Sequence, residues 1–171
     1  MTPDAALERF CADAFPQLVG LLAHECGDVH LAEEFAQEAL TRACERWEQV
    51  SAMDAPVGWC FRVGANLSRS WFRRRAVARR ARTHAHDVEA RPDVDVASQI
   101  VVRDALRRLT SAQRDAVLLR YALDLSVEQT AALLGTTEGA VRGLTHRALR
   151  ALREELSADF PTIPEEVSDG A

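Results

Sequence analysis

The sequence predicts an all-α fold, with two small helical domains joined by a flexible linker. Ala, Leu, Arg and Glu dominate, Asn-Gly turns and alternating runs are missing, and apolar residues recur at helical spacing. With 171 residues, 47% of them hydrophobic, the chain can bury one ordinary core or two small ones. We expect domains over 1–82 and 100–156, a linker over 83–99, and a disordered acidic tail over 157–171.

Three helices are predicted in the first domain. The first lies within residues 4–26 and is expected to be interrupted or restarted at Pro16, because helices tolerate proline in their first turn. The second runs over about 29–48, and the third over about 56–82. The stretch THAHDVEARPDVDVASQ that follows has no helical period and contains Asp and Pro, which is typical of a linker.

Capping signals mark the helices of the second domain. The strings TSAQ (110–113) and SVEQ (126–129) both fit the capping box, in which the first side chain and the last satisfy each other's backbone N–H. We therefore expect helices over about 111–122 and 127–134.

A helix-turn-helix motif follows from the spacing of small and apolar residues. Gly135 is placed to end one helix, and Thr137 to cap the next. Ala131 supplies a small residue where two helices touch, and Val141 and Leu144 supply apolar anchors on the second helix.

The last helix, over about 137–153, has two different sides. Projected at 100° per residue, its apolar side is expected to be core and its opposite side is basic. The apolar side contains Val141, Leu144, Ala148, Leu149, Leu152 and Leu156. The candidate DNA contacts are Thr137, Glu138, Gly139, Arg142, Gly143, His146, Arg147 and Arg150. Such a helix fits the major groove of B-form DNA, and the alternative is a solvated basic surface.

The third helix of the first domain carries a second candidate site. Its apolar stripe, expected to face the core, consists of Val57, Cys60, Val63, Gly64, Leu67 and Trp71. Another side combines a ring and an amide with arginines, which suits unstacked bases and a phosphate backbone. Its candidate residues are Trp59, Arg62, Asn66, Arg69, Arg73 and Arg74. The alternative is that Trp59 packs under the loop that precedes it.

The second helix presents an acidic stripe. Its inward residues are predicted to be Leu31, Phe35, Ala39 and Ala43, with Ala36 and Trp47 flanking. The outward residues are Glu34, Gln37, Glu38, Thr41 and Glu45. Such a stripe is usually solvated surface and repels DNA, so a partner bound there would present a basic protein surface.

Charge is segregated along the chain beneath a net charge of −5. Residues 1–60 hold eleven acids and three arginines, whereas residues 61–86 hold eight arginines and no acid. No run of about eighteen apolar residues predicts a membrane span, and the N-terminus lacks the pattern of a secretory signal. We therefore expect a cytoplasmic protein with no membrane insertion.

The remaining residues give little support to an enzyme or a metal protein. Nucleophile-elbow and phosphate-loop motifs are missing, so neither catalysis nor a cofactor is expected. His24, Cys26 and His30, with the HAH at 84–86, make only a weak alternative metal site, because His24 and Cys26 do not share one helical face. The four cysteines are widely spaced and are expected to be reduced, small core residues.

Two stretches carry a resemblance to a known family. AEEFAQEALTRACERW followed by GWCFRVGANLSRSWFRRR resembles the sigma-2 domain of extracytoplasmic-function, or group 4, bacterial sigma factors. LRRLTSAQRDAVLLRYALDLSVEQTAALLGTTEGAVRGLTHRALRALR is similar to their sigma-4 domain. The resemblance covers roughly residues 5–156, with both domains in order.

The resemblance implies a partner for each surface. Core RNA polymerase would bind through its β′ clamp helices at Glu34, Gln37 and Glu38, and through its β flap at sigma-4. Promoter DNA would be opened at the minus-ten element by the loop 48–57 and the helix after it, with a base flipped out of the stack. The helix 137–153 would read the minus-thirty-five element. An anti-sigma factor is a further partner that the resemblance allows.

The sequence also departs from the family's pattern. The stretch VRGL places Gly143 and Leu144 where relatives often have Ser and Arg, so a promoter sequence is not carried over. A free-standing helix-turn-helix regulator remains the alternative function. It would explain residues 100–156 and leave the acidic and arginine-rich helices of the first domain without a role.

Overall fold

The computed structural model describes residues 3–81 and 97–159, and every regular element in these two segments is a helix. The first segment contains α1 (Pro3–Cys26), α2 (Val29–Glu45), α3 (Trp47–Val50) and α4 (Pro56–Ala81). The second contains α5 (Ala97–Arg108), α6 (Ser111–Val117), a π-helical turn (Leu118–Ala122), α7 (Val127–Leu134) and α8 (Glu138–Asp159). The predicted all-α class is confirmed.

Helix α1 runs through Pro16 without a break, so the predicted interruption is wrong. A proline inside a helix removes one backbone hydrogen bond and crowds the preceding turn. Here Ala14 lies before Pro16 and Leu18 and Leu22 lie after it, and all three are buried on one face. Packing of that continuous face outweighs the local cost.

Helix α2 begins where the sequence predicts and ends earlier. Asp28 caps it, since its side chain accepts a hydrogen bond from the Leu31 backbone N–H at 3.0 Å. The helix stops at Glu45 rather than Glu48, and the short α3 follows. The change of direction places Trp47 against Phe10, with 5.1 Å between ring centroids.

Helix α4 has nearly the predicted bounds, but its buried face is centred differently. Phe61, Ala65 and Ser68 are buried on this face, and the apolar stripe predicted from the sequence omitted all three. Gly64 lies against α1 so closely that an added Cβ would stand 2.6 Å from a Leu22 methyl carbon. The aromatic ring of Phe61 therefore defines the centre of this face.

The capping signals of the second segment are confirmed. Thr110 and Ser126 each form a complete capping box, and Gly135 ends α7 with a left-handed φ of 63°. Helix α5 begins at Ala97, inside the predicted linker, and α8 continues to Asp159, inside the predicted tail. The rest of these two predictions, over 83–96 and 160–171, lies outside the described residues.

One residue predicted in the core of α8 is not there. Leu149 is 38% exposed, whereas Val141, Thr145 and Ala148 are buried. The buried side is centred on positions separated by four and three residues, and Leu149 lies 100° from Ala148 on its flank. Thr145 is accommodated because its hydroxyl donates to the Val141 carbonyl at 2.8 Å.

The two segments share one apolar core. Leu18, Leu22 and Phe61 of the first belong to the same buried cluster as Leu109 and Leu119 of the second. Helix α5 contacts α1, and α7 contacts α4. The two predicted domains are thus packed on each other in this structure.

Candidate functional site

Hydrogen bonds in the turn of the helix-turn-helix motif fix the start of α8. The Gly135 N–H donates to the Ala132 carbonyl at 3.3 Å, and the Thr136 N–H donates to the Ala131 carbonyl at 3.0 Å. These two bonds form a Schellman motif, which ends α7 and turns the chain sharply. Thr137 then caps α8, because its hydroxyl accepts from the Ala140 N–H at 3.2 Å.

The outer side of α8 is open to solvent. We define the arginine face of α8 as Arg142, His146, Arg147 and Arg150, all of which are exposed. Arg142 pairs with Glu138 at 2.7 Å, and Arg150 lies 3.7 Å from Glu154. Such exposed pairs within one helix contribute about 0.3–0.5 kcal/mol each, so the arginines are readily released to another partner.

Gly139 and Gly143 leave the backbone of α8 without side-chain cover at two positions. An added Cβ at Gly139 would meet only the Thr137 hydroxyl, at 4.0 Å. At Gly143 it would meet only the flexible guanidinium of Arg147, from 3.3 Å. The backbone of α8 is therefore accessible to a bulky partner at the two positions that the sequence singled out.

On α4, by contrast, the two central arginines already have protein partners. Arg62 Nη1 donates to Asp115 Oδ2 at 2.5 Å, and Arg69 Nη1 donates to both Asp115 oxygens at 3.1 Å. Arg69 Nη2 also donates to the Asn66 side-chain oxygen at 2.9 Å. Trp59 is partly buried against the core. Trp59, Arg62, Asn66 and Arg69 thus lie together, but α6 covers the two arginines among these four.

A second carboxylate completes this arrangement. Glu25, in the last turn of α1, accepts from Arg69 at 3.3 Å and from Arg114 Nε at 2.6 Å. We call Glu25, Arg62, Arg69, Arg114 and Asp115 the interdomain ion cluster. The side chains of Glu25 and Asp115 are only 2% and 3% exposed. Three guanidinium groups around two buried carboxylates satisfy the requirement that buried charges be paired.

Sequence reasoning missed both carboxylates. Asp115 lies beside the apolar run of Ala116 and Val117, and an acid in such a run needs a partner once it is buried. Glu25 stands at the C-terminal end of a helix, where the macrodipole disfavours an acid. Both signals indicate that a cation is nearby. Neither identifies it, because the partners lie 44 to 89 residues away along the chain.

A cavity of about 590 Å³ opens beside the cluster, between the two segments. Residues of the 52–55 loop line one side, Trp59, Arg62 and Asn66 of α4 form the floor, and Gln129 and Leu133 of α7 close the other side. The residues predicted to bind an unstacked strand therefore border a real concave surface. One wall of it belongs to the second segment.

The remaining candidate residues on α4 do not belong to the interdomain ion cluster. Arg73 and Arg74 are exposed beyond the ion cluster, toward the C-terminal end of the helix. Arg73 donates to the Ser70 hydroxyl at 3.1 Å. Helix α4 thus carries further, exposed arginines beyond the part that α6 covers.

The acidic side of α2 is exposed as predicted. We define the acidic face of α2 as Glu34, Gln37, Glu38, Thr41 and Glu45, all of which are exposed. Glu38 of this face pairs with Arg42, at 2.9 Å along the same helix. The Thr41 hydroxyl donates to the Gln37 carbonyl at 3.0 Å. The carboxylates can therefore meet a basic surface.

The cysteines have different environments. Cys26 and Cys60 are buried as predicted, but Cys44 is exposed, so the prediction of a core residue is wrong there. Its Sγ lies 3.8 Å from that of the partly buried Cys11. Burial raises the pKa of Cys60 to about 12 and that of Cys26 to about 11. In the described segments, no group of three or more His, Cys, Asp or Glu is arranged to hold a metal ion.

Within residues 3–81 and 97–159, no helix has the length and apolar character to span a membrane. Family models match both segments of the chain. The model for sigma-70 region 2 matches residues 13–83, and the model for sigma-70, region 4 matches residues 99–152. Helices α1 to α4 correspond to the first match, and helices α5 to α8 correspond to the second. This is the order that the resemblance implied.

Two relatives from Streptomyces give the same result. The RNA polymerase sigma-E factor of Streptomyces antibioticus is 33% identical over 126 residues, which cover 73% of this chain and 70% of that protein. The ECF RNA polymerase sigma factor BldN of Streptomyces coelicolor is 30% identical over 164 residues, covering 86% of this chain and 62% of that protein. The chain belongs to the sigma-70 family of RNA polymerase sigma factors, in its extracytoplasmic-function group.

A solved structure shares the fold. The sigma factor RpoE of Bartonella quintana, in complex with the anti-sigma factor NepR, matches with a TM-score of 0.72 and 23% identity, covering 89% of this chain and 97% of that chain. From here on, residues 13–83 are called region 2 and residues 99–152 region 4.

Proposed function

We propose that this protein binds core RNA polymerase and directs it to promoters, with region 4 reading the minus-thirty-five element and region 2 opening the minus-ten element. The observation that carries the proposal is the pair of matched regions, in order, with an exposed arginine face on the second helix of the helix-turn-helix motif. It works in the cytoplasm, where core polymerase is found, and it catalyses no reaction itself.

Reading of the minus-thirty-five element is assigned to the arginine face of α8. The exposed N-terminal half of α8 contains Arg142, His146 and Arg147. Gly139 and Gly143 let DNA approach the backbone closely there. Arginine recognises guanine edges through paired hydrogen bonds in the major groove. Arg150 lies farther along and suits a phosphate.

Opening of the minus-ten element is assigned to α4 and the cavity beside it. Trp59 supplies a ring for stacking, Asn66 an amide for a base edge, and Arg73 and Arg74 exposed charges for the backbone. Arg62 and Arg69 join them once Asp115 withdraws.

Docking on polymerase is assigned to the acidic face of α2, with a basic protein surface as its partner. Changing Glu34 and Glu38 to Lys should weaken binding to core polymerase about tenfold or more, since two attractive contacts become repulsive. Both residues are exposed, so circular dichroism should show an unchanged fold. Lys substitution of Glu8 and Asp13, two exposed acids on α1 that lie outside this face, is the control matched in charge. Equal affinity of the double variant and the control in a pull-down would remove this face from the interface.

The function itself is tested by run-off transcription with core polymerase on a genomic promoter library. Promoter-specific transcripts are expected only when protein and core are both present. A free-standing regulator would instead bind its operators tightly without core and would add no start sites of its own. The region 2 match favours the sigma factor, because a regulator gives that region no role.

A further inference from the structure

Two cysteines lie side by side on neighbouring helices. The Sγ atoms of Cys11 on α1 and Cys44 on α2 are 3.8 Å apart, although 33 residues separate them along the chain. Both are free thiols, and Cys11 is partly buried whereas Cys44 is exposed. The sulfur atoms of a disulfide are about 2.0 Å apart, and rotation about the Cα–Cβ bonds can bring the two Sγ atoms closer. The two thiols are therefore within reach of a disulfide.

The packing of α1 on α2 holds these thiols together. The rings of Phe10, next to Cys11, and of Trp47, one turn beyond Cys44, are in contact, with 5.1 Å between their centroids. Ala14 of α1 and Ala43 of α2 are buried on the core side of the pair. Small side chains at a helix contact allow the helices to approach closely. The proximity of the two sulfur atoms is thus a consequence of core packing.

The two thiols differ in how readily they react. Cys44 is open to solvent, so a dissolved oxidant reaches it first. Burial, followed by the hydrogen bond and the charge of Cys44, raises the pKa of Cys11 to about 11, so Cys11 is protonated at neutral pH. Once Cys44 is held in a mixed disulfide it has neither a thiol proton nor a charge, and only burial still raises the pKa of Cys11. The first step therefore belongs to Cys44 and the second to Cys11.

We propose that Cys11 and Cys44 form a reversible redox site, which a small-molecule disulfide oxidises to an intramolecular disulfide between α1 and α2. The Cys44 thiolate attacks one sulfur of the oxidant and releases its other half as a thiolate. Cys11 gives its proton to water and attacks Cys44 Sγ, and the second half of the oxidant leaves. The two protein thiols lose two electrons and two protons, which convert the small disulfide into two small thiols.

The position of the pair gives Cys11 a purpose. Cys44 directly precedes Glu45 and lies less than one turn after Thr41, so it borders the acidic face of α2. A mixed disulfide with glutathione would leave a charged tripeptide beside that face. The internal disulfide releases this group and adds no atoms. It also joins residues 33 positions apart, which restricts the unfolded chain and stabilises the folded one.

The test follows the fate of each thiol in the full-length protein. The parent, Cys11→Ser and Cys44→Ser are incubated with excess glutathione disulfide near pH 8, quenched with acid and weighed by mass spectrometry. The parent should lose two hydrogen atoms, Cys11→Ser should keep one glutathionyl group on Cys44, and Cys44→Ser should stay unmodified. Peptide fragmentation should show the parent's link between residues 11 and 44. A parent that stays reduced, or that keeps the glutathionyl group, would overturn the proposal.

The buried thiols of Cys26 and Cys60 are internal controls in the same samples, and both should remain reduced. A link from Cys44 to either of them would contradict the assignment of Cys11 as its partner. Circular dichroism verifies the fold of each variant. Since Cys11 is partly buried, Cys11→Ala is made as well, and it should keep the glutathionyl group as Cys11→Ser does.

Thermal unfolding shows whether the disulfide fits the native packing. The oxidised parent should unfold about 5–15 °C higher than the reduced parent, because a link across this length of chain restricts the unfolded state. Treatment with dithiothreitol should restore the lower midpoint. Cys44→Ser should have the same midpoint before and after oxidation. An oxidised parent whose midpoint falls or stays unchanged would show that the native structure does not accommodate the disulfide, and the proposal would be wrong.

Discussion

Helices α4 and α8 each place apolar residues on one side and arginines on another, but their arginines have different surroundings. The side chains of Arg62 and Arg69 on α4 are 21% and 23% exposed, whereas those of Arg142 and Arg150 on α8 are 62% and 69% exposed. On α8 the partners are acids of the same helix, one turn away. On α4 they are carboxylates brought from α1 and α6. Helical periodicity identifies the side of a helix that lies opposite its apolar side. It does not show whether another element covers that side.

The largest expected effect separates the two sides of α8. Changing the fully buried Val141 to Asp should unfold region 4, since an unpaired charge in the core costs several kcal/mol or more. Leu149→Asp, at the partly exposed position on the same helix, should cost less than about 1 kcal/mol. Thermal unfolding followed by circular dichroism measures both. Similar losses of stability at the two positions would mean that the buried side of α8 is wider than described.

Alanine substitution at two glycines compares the packing of α4 with that of α8. Gly64→Ala on α4 should destabilise the protein by about 1–3 kcal/mol, because the new methyl group meets Leu22 inside the core. Gly143→Ala on α8 should stabilise it by up to about 1 kcal/mol, since Arg147 is free to move aside and alanine favours the helix. Chemical denaturation gives both values. The comparison fails if the two changes have the same sign.

The arginines of α8 should themselves divide into two classes. Arg142→Ala or Arg147→Ala should cost about 1–3 kcal/mol of promoter binding and change the preference at particular minus-thirty-five positions. Arg153 is exposed farther along α8, beyond Arg150. Its change to Ala should weaken binding on all sequences alike and flatten its salt dependence, as loss of a phosphate contact does. Promoter-library transcription by reconstituted holoenzyme distinguishes these outcomes. Folded Arg142 and Arg147 variants that keep the parent's preference would show that α8 does not read sequence.

The smallest effect tests whether the two sides of α4 act independently. Burial raises the pKa of Cys60 to about 12, so very little of the reactive thiolate is present near pH 8 and its share increases only as the pH rises. Iodoacetamide at pH 8 should therefore modify the exposed Cys44 well before Cys60, as peptide mass spectrometry can show. Asp115→Asn should not speed the reaction of Cys60. Faster reaction in that variant would mean that the ion cluster also supports the buried side.

Some features of the fold could be predicted because they depend on neighbours in the chain. The capping boxes at Thr110 and Ser126, the turn at Gly135 and the cap at Thr137 each involve groups within a few residues of one another. Helical period also shows that the acidic face of α2 and the arginine face of α8 point away from the apolar side of their own helix.

Other features could not be predicted because their causes lie far away in sequence. Helix α1 continues through Pro16 because residues on either side of it pack into a common core. Thr145 replaces Leu149 on the buried side of α8, because the direction of the core is set by what surrounds the helix.

The sequence by itself determined the helical class, the order of the two regions and the residue types on each surface. All of these follow from local periodicity, capping and the motifs that carry the family resemblance. Only the tertiary structure decided that Arg62 and Arg69 lie against Asp115, while Arg142 and Arg147 remain in solvent. The physical reason is that an ion pair requires two charged groups to be close in space. Chain positions 53 residues apart, such as Arg62 and Asp115, become neighbours only when the apolar core has brought their helices together.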